Sequence, residues 1–146
     1  MTRLLEFLGN HWMMASALLV VTVLLMQDLL ESLFRKHKVL TPAGAVQLMN
    51  TEEALVVDVR EPAEFAEGHI EGAYHIPLGK LDERASEIAQ HKDAPVIVTC
   101  QQGTRSPSAC KTLTKQGFSR VYEMRGGMLG WGDAHYPVTK KRKKSS

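Results

Sequence analysis

Cysteine is scarce in this chain, with two in 146 residues. That count cannot build the several bridges on which a small disulfide scaffold relies. Histidine and cysteine do not cluster at metal-ligand spacing, so nothing points to a bound metal. Charge of one sign is also lacking, because 18 Lys and Arg stand against 16 Asp and Glu. The resulting +2 excludes nucleic-acid binding by bulk charge, and it excludes an acidic chain held open by self-repulsion. No internal repeat is present. The length allows one ordinary domain and little else. Mean hydropathy is that of a soluble protein, but the average conceals an uneven chain.

The unevenness lies at the start. Trp12–Met26 (WMMASALLVVTVLLM) carries no charge, and only Ser16 and Thr22 are weakly polar. As a helix this run spans about 22 Å, short of a bilayer core of about 30 Å. Extending it to residues 8–30 gives the length and places Asn10, His11, Gln27 and Asp28 at headgroup level, where Trp12 also suits the interface. A cleaved signal peptide fits less well: Arg3 is offset by Glu6, and Gln-Asp-Leu-Leu follows the run instead of a small-x-small site. A core helix would show polar residues every third or fourth position, and this run shows none. Residues 1–38 are therefore expected to form a membrane anchor and its basic flank. Arg35, Lys36, His37 and Lys38 follow the run, whereas one Arg precedes it. The positive-inside rule places the C-terminal bulk in the cytoplasm and the N-terminus outside, which keeps both cysteines reduced.

Residues 39–139 form the candidate domain, with a mild acidic excess, and residues 140–146 form a basic tail expected to be disordered. Within the domain, strands and helices alternate. Thr41-Pro42 reads as an N-cap and a first-turn proline opening a helix to about Asn50. Ala54–Val59 reads as a buried strand, and Pro62–Glu67 as a short helix stopped by Gly68. Ala73–Ile76 reads as a short strand, and Leu81–Gln90 as a helix. Pro95–Thr99 (PVIVT) is a β-branched strand, and residues 105–116 are a helix closed by Gly117. Arg120–Glu123 is a last strand, and Met128–Asp133 a short helix. This alternation predicts an α/β fold with a central parallel sheet covered by helices on both faces.

The segment Val96–Ser106 (VIVTCQQGTRS) carries the chemistry. A buried strand ends, Cys100 follows, a short loop turns and a helix begins. Open α/β sheets bind ligands at the carboxyl ends of their strands. Backbone N–H groups of Gln101, Gln102, Gly103, Thr104 and Arg105 can converge as an anion-binding nest, and the helix N-terminus adds its positive end. Gly103 lets the loop curl, and Arg105 closes it with a fork of donors. Together these favour a thiolate at Cys100. The same position also suits a small buried residue at a strand end.

Three motifs now resemble one family. They are Cys100-Gln-Gln-Gly-Thr-Arg105-Ser106; Asp58-Val-Arg60-Glu-Pro-Ala-Glu64-Phe65-Ala-Glu-Gly68-His69-Ile70-Glu-Gly72-Ala73; and Arg125-Gly126-Gly127-Met-Leu-Gly130-Trp131. In order and content they resemble the loop and the two signatures of the rhodanese family, and with the apolar start the chain resembles a membrane-anchored, single-domain bacterial rhodanese. The resemblance implies a rhodanese-like domain behind an N-terminal transmembrane helix, anchored single-pass in the inner membrane. It implies sulfur transfer: Cys100 takes sulfur from a sulfane-sulfur donor, thiosulfate or a persulfide, holds it as a persulfide and passes it to a thiol or protein acceptor. Backbone N–H groups of residues 101–105 would cradle the outer sulfur, Arg105 would orient the loop, and no cofactor or metal would be needed. Four residues separate Cys100 from Arg105, where related phosphatases have five and a wider cradle. Some family loops carry a second cation just after the cysteine, useful for thiosulfate, and Gln101, Gln102 and Thr104 are neutral here.

Asp58 and Arg60 sit at a strand end near the site and read as an ion pair that fixes the following loop rather than as proton-transfer groups. His69 reads as a turn residue, Trp131 as core or pocket rim, and Gly126 and Gly127 as a turn requirement. Cys110, in the helix after the loop, reads as a buried apolar position rather than a resolving thiol. The tail suits anionic lipid under the cytoplasmic leaflet, and no aromatic interleaving supports nucleic acid. The alternative to an enzyme is a membrane-tethered adaptor of the same fold that binds a membrane protein partner without turnover.

Overall fold

The computed structural model describes residues 1–33 and 37–140. Arg35 and Lys36 of the basic flank, and the tail from residue 141, lie outside the described residues. The chain divides into two compact units, Met1–Arg35 and Lys36–Ser146.

The first unit holds helices α1 (Thr2–Asn10) and α2 (Trp12–Leu33), separated at His11, whose backbone leaves helical angles (φ −125°, ψ 36°). The expected span from residue 8 is therefore divided, and the part long and apolar enough to cross a membrane is Trp12–Leu30. Its two hydroxyls are satisfied inside the helix: Ser16 Oγ donates to Met13 O (2.9 Å) and Thr22 Oγ1 to Leu18 O (2.8 Å). Such back-bonding removes the polar cost of an apolar surrounding.

Among the described residues the second unit is built on five parallel strands: β1 (Lys38–Leu40), β2 (Leu55–Asp58), β3 (Tyr74–His75), β4 (Val96–Thr99) and β5 (Val121–Met124), in the order β1-β5-β4-β2-β3. Helices α3 (Pro42–Thr51), α4 (Pro62–Glu67), α5 (Leu81–Arg84), α6 (Ser106–Lys115) and α7 (Gly127–Asp133) connect and cover them. Side chains of successive strand residues point to opposite faces, and the buried residues separate accordingly. Val57, Val59, Val96 and Val98 join Leu81, Ala85, Ile88, Ala109 and Leu113 in one core. Val56 and Ile97 join Ala45, Phe65, Met124, Met128 and Trp131 in the other. The all-apolar reading of the two central strands thus follows from burial on both sides.

Two elements differ from the sequence expectation. Lys38, assigned to the basic flank, begins edge strand β1, which pairs with β5 from Lys38 beside Tyr122 to Leu40 beside Met124. Three residues are too few to show a period of two. The helix expected over Leu81–Gln90 keeps one α turn, between 3-10 segments at Leu78–Lys80 and Ala85–His91. Ile88 leaves helical angles (φ −113°, ψ 19°) while its side chain stays in the core.

Candidate functional site

Strands β2 and β4 run side by side, with Asp58 opposite Thr99. The residues just beyond their carboxyl ends, Arg60 and Cys100, therefore emerge at the same edge of the sheet. Cys100 is buried, and the loop that follows folds back over it. Gly103, at φ 89°, turns its N–H to donate to Cys100 Sγ (3.0 Å). A residue with a Cβ is strained at that φ. Gln102 and Thr104 are the exposed positions of the loop.

The loop's other peptides are set from outside. The N-terminus of α7 approaches so that Met128 N–H donates to Cys100 O (2.7 Å) and Leu129 N–H to Gln101 O (3.1 Å). A trans peptide points its carbonyl and its N–H in opposite directions. Holding those two carbonyls on α7 therefore turns the N–H groups of Gln101 and Gln102 to the other face of the loop. Gly127 (φ 58°) makes the approach feasible, because a Cβ there would run into the carbonyl of Cys100. The turn expected of Gly126 and Gly127 is present, both at positive φ, and at Gly127 it is also a contact between two backbones.

Asp58 and Arg60 form the expected ion pair, and both are buried. Arg60 Nε lies 2.9 and 3.0 Å from the two Asp58 oxygens, and Nη2 lies 2.7 Å from Oδ2. The guanidinium then reaches further than a local pair. Nη1 donates to Gln101 Oε1 (3.1 Å) and Nη2 to Gly68 O (2.8 Å). His75 donates through Nε2 to Arg60 O (2.8 Å) and stacks on Phe65. Arg60 thus ties the Cys100 loop to the turn after α4.

Arg105 differs from the expectation that its fork closes the loop on itself. Its Nη1 and Nη2 donate to the two carboxylate oxygens of Glu64 on α4, at 3.0 and 2.9 Å. The same carboxylate accepts from Glu61 N–H (2.9 Å) and starts α4. The Arg105 hydrogen bond holds the Glu64 carboxyl below the usual carboxylate range, and Glu64 in turn raises Arg105. Glu64 is the site residue that sequence reasoning missed. Its signal was the Glu61-Pro-Ala-Glu64 capping pattern, which marks a helix start and says nothing of a partner 41 residues away.

His69 is buried, donates to Phe65 O (2.9 Å) and stacks on the Phe65 ring. Trp131 is buried and donates to Pro137 O (2.9 Å). Cys110 is buried in the α5–α6 core, with Sγ 3.8 Å from Tyr122 O. Cys100 is a free thiol. Ser106, the first residue of α6, is buried, and its hydroxyl has no partner among the described residues. Among those residues no group of His, Cys, Asp and Glu is arranged to hold a metal.

Comparison with known proteins agrees with this architecture. Residues 41–134 match the Rhodanese-like domain family. The protein YibN of Escherichia coli K12 is 32% identical over 141 residues, covering 96% of this chain and 99% of YibN. The thiosulfate sulfurtransferase GlpE of Pseudomonas putida is 41% identical over 105 residues, covering 70% of this chain and 91% of that protein. The crystal structure of a rhodanese-related protein from Thermoplasma volcanium is similar at a TM-score of 0.65 and 28% identity, covering 72% of this chain and 100% of that one.

Proposed function

The chain belongs to the rhodanese-like domain family, and from that premise we propose that it transfers sulfur as a persulfide carried on Cys100. The observation that supports this most directly is the Gly103 N–H held 3.0 Å from Cys100 Sγ in a loop whose carbonyls are drawn the other way. N–H groups of Gln101, Gln102 and Gly103 on one face make a cradle for an anionic sulfur. The loop residues Gln101, Gln102, Gly103, Thr104 and Arg105 form the binding loop, with Asp58 and Arg60 in support.

The Cys100 thiolate attacks the outer sulfur of a sulfane donor. A Cys100 Sγ–S bond forms, the donor's S–S bond breaks, and the donor remnant leaves with the electron pair. A thiol or protein acceptor then attacks the outer sulfur and returns the Cys100 thiolate. Cys100 is covered at rest, so the exposed side of the loop at Gln102 and Thr104 must part to admit each partner. The cysteine splits the transfer into two displacements without a cofactor.

We assign α2 as a single-pass anchor in the inner membrane of a bacterial cell, with the N-terminus outside and the rhodanese domain in the cytoplasm. The apolar Trp12–Leu30 stretch and the basic residues that follow it support this.

Intact-mass measurement of full-length protein tests the chemistry. After exposure to a sulfane donor without reductant, the wild type gains the mass of one sulfur atom. Cys100→Ser gains none and loses sulfur transfer to cyanide, whereas Cys110→Ser retains most of both. A folded Cys110→Ser protein as inactive as Cys100→Ser would replace this scheme with a two-thiol relay. A wild type that never gains the sulfur under donor load would favour the adaptor reading.

A further inference from the structure

The site holds two guanidinium groups beside a loop whose own positions, Gln101, Gln102, Gly103 and Thr104, are uncharged. Each guanidinium is engaged by a carboxylate: Arg60 by Asp58, and Arg105 by both oxygens of Glu64. Resting on the sulfur-transfer reading above, we propose that Glu64 determines the class of sulfur donor. By neutralising Arg105 it disfavours the dianion thiosulfate and leaves the site selective for a persulfide of lower charge.

The argument is electrostatic. Thiosulfate brings two negative charges to a cysteine that must itself be anionic, so its approach needs unbalanced positive charge at the loop. Arg105 ends the loop that begins at Cys100, but both terminal nitrogens of its fork are turned to Glu64, at 3.0 and 2.9 Å. A persulfide donor carries a single negative charge or none at its reacting end and loses less. The two loading steps balance in the same way. Thiosulfate gives its outer sulfur to the Cys100 thiolate and releases sulfite. A persulfide gives its outer sulfur and releases the thiolate, which takes up a proton at neutral pH.

Glu64→Gln separates charge from structure. Glutamine still serves at the third position of a capping box, so the start of α4 is kept while the negative charge is lost. The experiment uses full-length protein in nonionic detergent and follows single-turnover sulfur loading of Cys100 by quenched intact mass, with thiosulfate and with cysteine persulfide. The readout is the ratio of the two loading rate constants. Removing one facing charge is expected to raise the thiosulfate-to-persulfide ratio about tenfold in Glu64→Gln, and the rise should shrink at high salt. Glu64→Asp should keep the wild-type ratio. A merely structural role would lower both rates together and leave the ratio unmoved, which would overturn the proposal. So would an unchanged ratio with thiosulfate loading lost in Arg125→Gln. Arg125 is one residue from the backbone that packs on Gly103, and it has no ion pair among the described residues. Failure of both donors to load wild-type Cys100 would instead overturn the underlying sulfur-transfer reading.

Discussion

At the scale of single residues, charge and geometry can be separated at Arg105. Its two terminal nitrogens meet the two Glu64 oxygens side by side, a geometry that a lysine ammonium cannot copy. If the position supplied only positive charge, Arg105→Lys would keep near-native persulfide formation. Because the pair braces the loop against α4, we expect Lys to fail nearly as badly as Ala. Misplacing a preorganised anion cradle costs roughly 10²-fold in rate. The check is the single-turnover loading rate for all three proteins; a Lys variant at near-native rate would assign the residue's part to charge alone. The same pair makes a prediction about pH. Glu64 titrates below its ordinary range in the folded protein because Arg105 hydrogen-bonds its charged form. A depressed folded-state pKa gives stability that is present above the unfolded value and lost as pH falls through the folded one. Both side chains are about one-third exposed, so the contribution is about 1 kcal/mol or less. Urea unfolding should therefore show wild type more stable than Glu64→Gln at neutral pH. The gap should begin to narrow as pH falls through the ordinary carboxylate range, at about 4.3, and close below the folded-state value of Glu64. A gap that persists once Glu64 is protonated would place the effect in packing rather than in charge.

At the scale of elements, the decisive contact is between the start of α7 and the Cys100 loop. Gly127→Ala puts a methyl where the Cys100 carbonyl lies and also strains a backbone at φ 58°. The expected result is a loss of at least about 3 kcal/mol, read as a Tm lowered by more than about 10 °C in circular dichroism, with sulfur loading abolished. An alanine variant of native Tm and rate would show that α7 does not set the loop. This contact also marks how far the sequence could be read. Strands β2 and β4, the capped start of α3, the Cys100 loop and the Asp58–Arg60 pair were all legible. Each rests on neighbours in the chain: a run of β-branched residues, a Thr-Pro pair, a cysteine between strand and helix. What escaped depends on distant partners or on too few residues. Glu64 meets Arg105, and Arg60 meets Gln101, each across 41 positions. The glycine pair at 126–127 announces a turn, but the carbonyls that need it belong to residues 100 and 101. Edge strand β1 shows nothing to periodicity and forms because the free edge of β5 offers it hydrogen bonds.

At the scale of the whole molecule, the chain joins an apolar helix to a domain that needs nothing from it for a complete core. Both sheet faces are covered by the domain's own helices, and Trp12–Leu30 is a continuous apolar helix long enough to cross a membrane. Under the anchor proposed above, that apolar surface would lie in lipid. The direction of insertion then rests on the flanking charge, and the structure revises the count made from sequence. His37 belongs to the domain: its Nε2 lies 3.0 Å from Glu123 Oε2, with both side chains nearly covered. Engaged there, it is left out of the flanking count. Arg35, Lys36 and the exposed Lys38 remain, against Arg3 before the span. Each charge near an anionic surface contributes about 1 kcal/mol, so under the proposed anchoring three against one is still expected to orient the helix with the domain inside. Alkaline phosphatase fused after Ser146 should be inactive, and a fluorescent protein at the same point should fold and fluoresce. Replacing Arg35, Lys36 and Lys38 together with glutamine while adding lysines beside Arg3 should shift part of the population to the opposite orientation, whereas His37→Gln alone should not. Phosphatase activity in the unaltered fusion would reverse the topology. It would also place both cysteines in an oxidising compartment, where a free Cys100 thiol would no longer be the resting state.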